Sequence, residues 1–417
     1  MKEYYQAIRN TFDLKKEDMK NTFLLFYAHV LPSNYDFFCS LVDSGFDKDK
    51  IYILGKSHST VPSVENKLKH NGLNVKSIGF PTKFGGFDEA VKEDISIFCK
   101  EVSHTIKQNE NSNIIIVESG GLLRREIAKN FPANKLSNGT NIFDVELTTQ
   151  GTYFDYLFPT VEVALSKAKT ELENDVIAQV VFNEMKIKNL LDKKKQYGIV
   201  GYGTIGKGVE KTLQDNGYKV VCYDKNSELN HNNYKKLYKE SDVIIGATGK
   251  NIMTKEVVNM LKPNVSLISA SSKDIEFSGI FNEVKNDFIT KLAFEDRKLE
   301  LKSGKSVNLI TGGFPITFDK KKDCADVNNI KLTYGLWISG ILQASKHLQN
   351  YQYSRIGIDL TMNNQINVVK SWKKFYGDKI SDKKKEDINS FLDNTHQEEN
   401  VNPYVKYRKK QKTLGHS

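Results

Sequence analysis

The chain has 417 residues, 39% of them apolar, with 23 Phe and 19 Tyr. That is too long for one ordinary domain and apolar enough to build cores, which excludes a wholly disordered chain. The net charge is +10, but Lys and Arg are spread along the chain or form short runs at 193–195, 320–322, 383–385 and 408–410 with no aromatic-basic motif beside them, so solvated side chains are expected and a nucleic-acid partner is not.

The first residues, from Met1 to Gln6, lack the apolar region of a secretory signal. No apolar run nears the length of a membrane span, so a soluble, cytoplasmic protein is expected. Strand patterns follow at 22–30, 51–54, 74–78, 113–118 and 142–147, with helical patterns at 35–44, 64–70 and 88–108 between them. This alternation predicts a parallel sheet with helices on both faces, in a substrate domain over residues 1–175. Such sheets bind ligands at the carboxyl ends of their strands, so the loops after Val30, Glu118 and Leu147 are the places for chemistry. His29 lies at the first of these ends, and Thr148-Thr149 follow the last. Residues 161–191 read as one long bridging helix, on which Lys169 and Glu173 share a face, with Asn174 next.

A second domain is predicted over 176–325. A second bridging helix at 329–348, within a segment 326–350, would return the chain to the first domain. Residues 351–417 read as a helical and polar tail, rich in Lys, Asp, Asn and Gln from Ser381, with its last stretch expected to be mobile or wrapped on a partner. The fold class is thus α/β, with two doubly wound parallel-sheet domains joined by long bridging helices. Four cysteines, Cys39, Cys99, Cys222 and Cys324, have no paired spacing and predict reduced thiols. Histidines beyond His29, His58 among them, show no ligand spacing, so no metal is expected.

The second domain opens with a short strand at 197–200 and then Gly201-Tyr202-Gly203-Thr204-Ile205-Gly206-Lys207-Gly208. Gly201 permits a tight turn, Gly203 lets backbone approach a pyrophosphate, and Gly206 allows close helix-strand packing. The amides of Thr204 and Ile205 would begin a helix facing the phosphate charge. A second strand at 218–223 ends in Asp224, placed to accept ribose hydroxyls and to favour NAD over NADP. A third strand, 242–247, runs into Thr248-Gly249, and a fourth follows at 265–269.

From Gly201 to about Pro315 these residues resemble the S-adenosylhomocysteine hydrolase (adenosylhomocysteinase) family. The matching pieces are the glycine turn, Ala247-Thr248-Gly249, Lys273-Asp274-Ile275-Glu276 and Val307-Asn308-Leu309. The resemblance implies tightly held NAD and oxidation of a ribose hydroxyl, followed by elimination, water addition and reduction. It also implies that Thr148, Thr149 and Asn308 hold the nicotinamide end. Lys169, Glu173 and Asn174 would manage the proton of the redox step, with His29 in the active site. A homo-oligomer is expected with it. The family's elimination and adenine-binding residues are missing, since Ser119, Leu147, Ser272 and Phe314 stand where it has acids and histidines. The small-molecule substrate expected is therefore nucleoside-like or sugar-like. A true hydrolase with an altered site and a silent NAD-binding regulator remain as alternatives.

Overall fold

The computed structural model describes residues 2–79, 87–109, 111–131, 139–149, 151–173, 175–226, 234–271, 274–285, 295–318, 321–323 and 325–395. The chain forms two units. The first gathers Met1–Ile78, Lys92–Glu173 and Val327–Ser417, and the second Gly79–Val91 and Asn174–Asp326.

From the N-terminus the elements are α1 (Lys2–Arg9), α2 (Lys16–Lys20), β1 (Thr22–Val30), α3 (Tyr35–Ser44), β2 (Ile51–Thr60), α4 (Pro62–His70) and β3 (Asn74–Ser77). Next come α5 (Phe87–Lys107), β4 (Asn113–Glu118), α6 (Leu122–Asn130), β5 (Asn141–Glu146), β6 (Thr160–Glu162) and α7 (Lys167–Leu172). The order β13-β6-β5-β4-β1-β2-β3 makes one seven-stranded sheet, in which β13 (Gly357–Asp359) is an edge strand from the far end of the chain. All its pairings are parallel. Strands buried on both faces need apolar residues at successive positions, and Phe23 to Ala28 are all buried. On one face Phe26 meets Phe37 and Phe38 of α3 edge-on.

The single helix expected over 161–191 is interrupted. Thr160 and Val161 pair with Asp144 and Val145 as β6, because β-branched residues there complete the sheet. Helix α7 then ends at Leu172, capped by Glu173, and α8 (Val176–Ile187) follows in the second unit. The polar tail that starts at Ser381 is helical as far as Thr395, and its last stretch lies outside the described residues. Helices α13 (Met362–Tyr376) and α14 (Asp382–Thr395) carry Ile366, Val369 and Trp372, and Ile388, Phe391 and Leu392, at helical spacing into the first unit's core. Helix α12 (Val327–Leu348) is buried from Lys331 to Ser345 and belongs to that core.

In the second unit, β7 (Gln196–Val200), α9 (Thr204–Asp215), β8 (Lys219–Tyr223), α10 (Tyr234–Glu240), β9 (Val243–Gly246), α11 (Lys255–Met260), β10 (Val265–Ser269), β11 (Arg297–Glu300) and β12 (Ser306–Leu309) follow in order. Its sheet runs β11-β12-β10-β9-β7-β8, parallel except for β11 against β12. Strand β7 has β8 on one side and β9 on the other, so the winding reverses there and opens a crevice at its carboxyl end.

Candidate functional site

The glycine turn leaves β7 at that crevice. Gly201 has φ +99°, and a Cβ on it would lie 2.7 Å from the Ala247 backbone. At Gly206 a Cβ would lie 1.9 Å from the Gly201 carbonyl oxygen, so only glycine lets α9 pack this closely on the turn. Gly203 differs: it caps α9, and a Cβ there would meet nothing within 4 Å. The turn is thus closed toward the protein and open in front of the first amides of α9, Thr204 and Ile205, as a phosphate-binding helix start requires. Asp224, at the end of β8, accepts from the Tyr202 amide at 2.6 Å and from the Asn226 amide at 2.8 Å. The carboxylate is thereby fixed beside the turn, and its remaining lone pairs suit two ribose hydroxyls.

On the other side of β7, Thr248 follows β9. Buried Glu276 accepts from the amides of Thr248 and Gly249, both at 2.6 Å, and from Thr248 Oγ1 at 3.0 Å. Burial raises the Glu276 carboxyl, against the lowering by these hydrogen bonds. Glu276 is therefore the clamp of this turn, a role that spacing alone did not reveal. Asn308 is not brought to the turn: its amide donates to the Asn264 carbonyl at 3.0 Å, at the amino end of β10. Phe314 is fully buried. Ser272, Lys273 and Asn174 lie outside the described residues.

In the first unit, the carboxyl ends of β4 and β5 carry Glu118, Asp144 and Glu146 on one sheet face, with Glu118 opposite Glu146. All three are buried, and one carboxylate oxygen of each lies within 4.8 Å of the others. That spacing would suit a metal ion, but Arg124 Nη1 already stands 2.7 Å from Asp144 and 3.3 Å from Glu146. Its Nη2 donates to the Gly151 carbonyl at 2.5 Å. Burial, then mutual repulsion, pushes Glu118 well up and Glu146 up to about 7, and burial raises Asp144. Burial alone lowers the Arg124 guanidinium, but the three carboxylates more than offset it and hold it above its ordinary value. Thr148 joins this group, donating from its amide and hydroxyl to Glu146 at 2.9 and 3.0 Å. Thr149 offers its carbonyl to the Thr152 hydroxyl at 2.7 Å.

His29 sits at the end of β1, where its Nδ1 shares a hydrogen bond with Ser59 Oγ. Burial, then the charges of Lys56 and His58, depress it well below its usual range. Lys169 and Glu173 are elsewhere, in the helical layer, where Lys169 Nζ donates to Glu173 at 2.6 Å. Helix α7, which carries Lys169, packs on α12, α13 and α14. Sequence reasoning missed Arg124, the buried acids and Lys56. The available signal was the charge placed inside apolar strands, as in Asn141–Glu146.

Residues 163–273 match the family model described as D-isomer specific 2-hydroxyacid dehydrogenase, NAD binding domain. NAD is the cofactor of this domain. Two uncharacterized proteins of Mycobacterium tuberculosis, from strains CDC 1551 / Oshkosh and H37Rv, are each 24% identical to the chain over 343 residues. The alignment covers 79% of this chain and 66% of theirs. Among solved structures, the chain is similar to an NAD-dependent formate dehydrogenase from Staphylococcus aureus, at 10% identity and TM-score 0.34 over 79% of this chain and 97% of that one. A D-lactate dehydrogenase from Aquifex aeolicus shares 14% identity and TM-score 0.29 over 83% and 95%. Likenesses of this size say nothing of what the chain binds.

The family match overturns the resemblance to adenosylhomocysteinase. A glycine turn, a helix start and a following acid answer the demands of the dinucleotide, so they report the cofactor and not the reaction. Among the described residues no helix is long and apolar enough to cross a membrane.

Proposed function

We propose that the chain is an NAD-dependent oxidoreductase that moves a hydride between the nicotinamide and a small hydroxy or keto acid. The cofactor half of this reading is carried by the turn from Gly201 to Gly206, closed behind and open in front, with the Asp224 carboxylate fixed beside it. The match over 163–273, which includes this turn, supports the choice of a hydroxy acid as substrate class. The nucleoside-like or sugar-like substrate loses the resemblance that suggested it, and a hydroxy acid takes its place in this reading.

In this reading the amides at the start of α9 hold the pyrophosphate, and Asp224 holds the adenosine ribose. Glu276 keeps the turn at Thr248 in place. NAD, when bound, supplies the hydride acceptor. Oxidising an alcohol also needs a base for the hydroxyl proton, best one that is neutral before the reaction. His29, depressed by burial and by Lys56, is such a group in the first unit.

The test is to purify the full chain, denature it and identify the released small molecules by mass. The same protein is then followed for NADH absorbance with NAD and a panel of 2-hydroxy acids. NAD in the released fraction, or a higher melting temperature with added NAD, is expected, together with NADH formation from at least one acid. If NAD is neither retained nor shifts the melting temperature, the reading fails.

A further inference from the structure

Parallel strands pair residue by residue. Strands β1 and β2 do so from Leu24 opposite Ile51 to Ala28 opposite Gly55, and resume with Val30 opposite Thr60. Between these points β1 supplies His29 alone, whereas β2 supplies Lys56, Ser57, His58 and Ser59. The excursion is closed by the Thr60 hydroxyl, which donates to the Lys56 carbonyl at 2.8 Å. Gly55 is required at its start, since a Cβ there would lie 2.3 Å from Thr60 Oγ1. Extra residues in one strand bend it and re-aim its side chains, and such bulges gather next to binding sites.

Here the excursion stacks polar side chains against His29. Lys56 is 6% exposed and His58 and Ser59 are fully buried. Burying such groups costs free energy that apolar residues would not, so folding alone gives no reason to place them here. The rings of His29 and His58 meet edge-on, with centroids 5.9 Å apart. Lys56 Nζ lies 5.0 Å from the centre of the Tyr27 ring. The group combines one ammonium, two imidazoles and a hydroxyl, a set rich in donors at the carboxyl end of two parallel strands. Donors gathered with a buried cation suit an anion.

We propose that Lys56, His58, Ser59 and His29 form a binding site for the anionic group of a small molecule, a carboxylate or a phosphate. The site shares His29 with the redox reading but does not rest on it, because it is argued from the packing of these side chains and the test needs neither NAD nor turnover. The full chain is titrated with oxalate and, separately, with inorganic phosphate, at constant ionic strength. Melting temperature and the imidazole NMR signals of His29 and His58 are followed. At least one anion should raise the melting temperature and move both imidazole signals, and the arm that does so identifies the source. Lys56→Met should weaken that response about tenfold or more, the size of a lost charge-assisted hydrogen bond, while Lys56→Arg should retain it. Should Lys56→Met not fold, Ser59→Ala and His58→Gln carry the comparison. No imidazole shift with either anion, or an unchanged response in the folded variants, overturns the proposal.

Discussion

At Gly203 a Cβ would meet no heavy atom within 4 Å, and the φ of −75° suits any residue. The glycine is therefore not needed for folding, in contrast to Gly206 behind it. Gly203→Val should keep the melting temperature of the free protein. Its side chain would enter the space in front of α9, and NAD affinity should fall about a hundredfold or more, read by calorimetric titration. Unchanged affinity would remove the pyrophosphate from this turn. Lys169 is the converse case. Its spacing to Glu173 suggested a proton-handling pair, but the same spacing is that of an ordinary helical ion pair. The two side chains are 21% and 12% exposed, and α7 packs among other helices. Lys169→Ala should therefore cost roughly 1 kcal/mol or less of stability by denaturant melts. NAD binding and hydride transfer should remain. A hundredfold loss of transfer with NAD still bound would instead put Lys169 at the reacting atoms.

Elements were legible where the pattern was local. Strands β1 and β4 were found to the residue, because parallel strands buried on both faces are continuous apolar runs. Strand β6 was hidden at the start of a helical pattern, since its three residues become a strand only through pairing with β5 and β13. The continuation of β2 through Lys56 to Thr60 was missed for the opposite reason: its residues are polar and read as a loop. The glycine turn was readable because three glycines, a helix and an acid act within one short segment. Glu276 was not, because its partners at Thr248 and Gly249 are distant in sequence. A buried clamp of this kind gives a direct test. Glu276→Leu leaves two backbone amides without their acceptor, which should cost roughly 1–3 kcal/mol each in a denaturant melt. The accompanying effect should be weaker NAD binding. A variant as stable as the wild type would show that the turn holds itself.

Across the first unit, Arg124 and the acids Glu118, Asp144 and Glu146 join β4, β5, α6 and the segment at Gly151 into one buried network. Strand order makes this network, which is why no motif announced it: β4 and β5 must be neighbours and in register before Glu118 faces Glu146. Three carboxyls around one guanidinium leave an excess of negative charge, so the folded state retains protons. Glu146 shows the consequence for pH. Its folded value of about 7 lies above the usual 4.5. The folded state then binds more protons than the unfolded chain between these values, and stability from this group falls as pH rises. The contribution is complete below about 4.5 and lost through about 7. His29 and His347, depressed by burial, act in the opposite direction below their usual 6.5. The wild-type profile mixes the two effects, so the informative quantity is a difference. Glu146→Gln keeps an acceptor for the Gly120 and Thr148 amides but cannot ionise. Its stability relative to the wild type should rise by roughly 1.4 kcal/mol per pH unit at most between pH about 5 and 7, and then level off. Denaturant melts of both proteins at several pH values give that slope. A flat difference would mean that Glu146 is ionised throughout this range and that the retained protons sit on the other acids of the network.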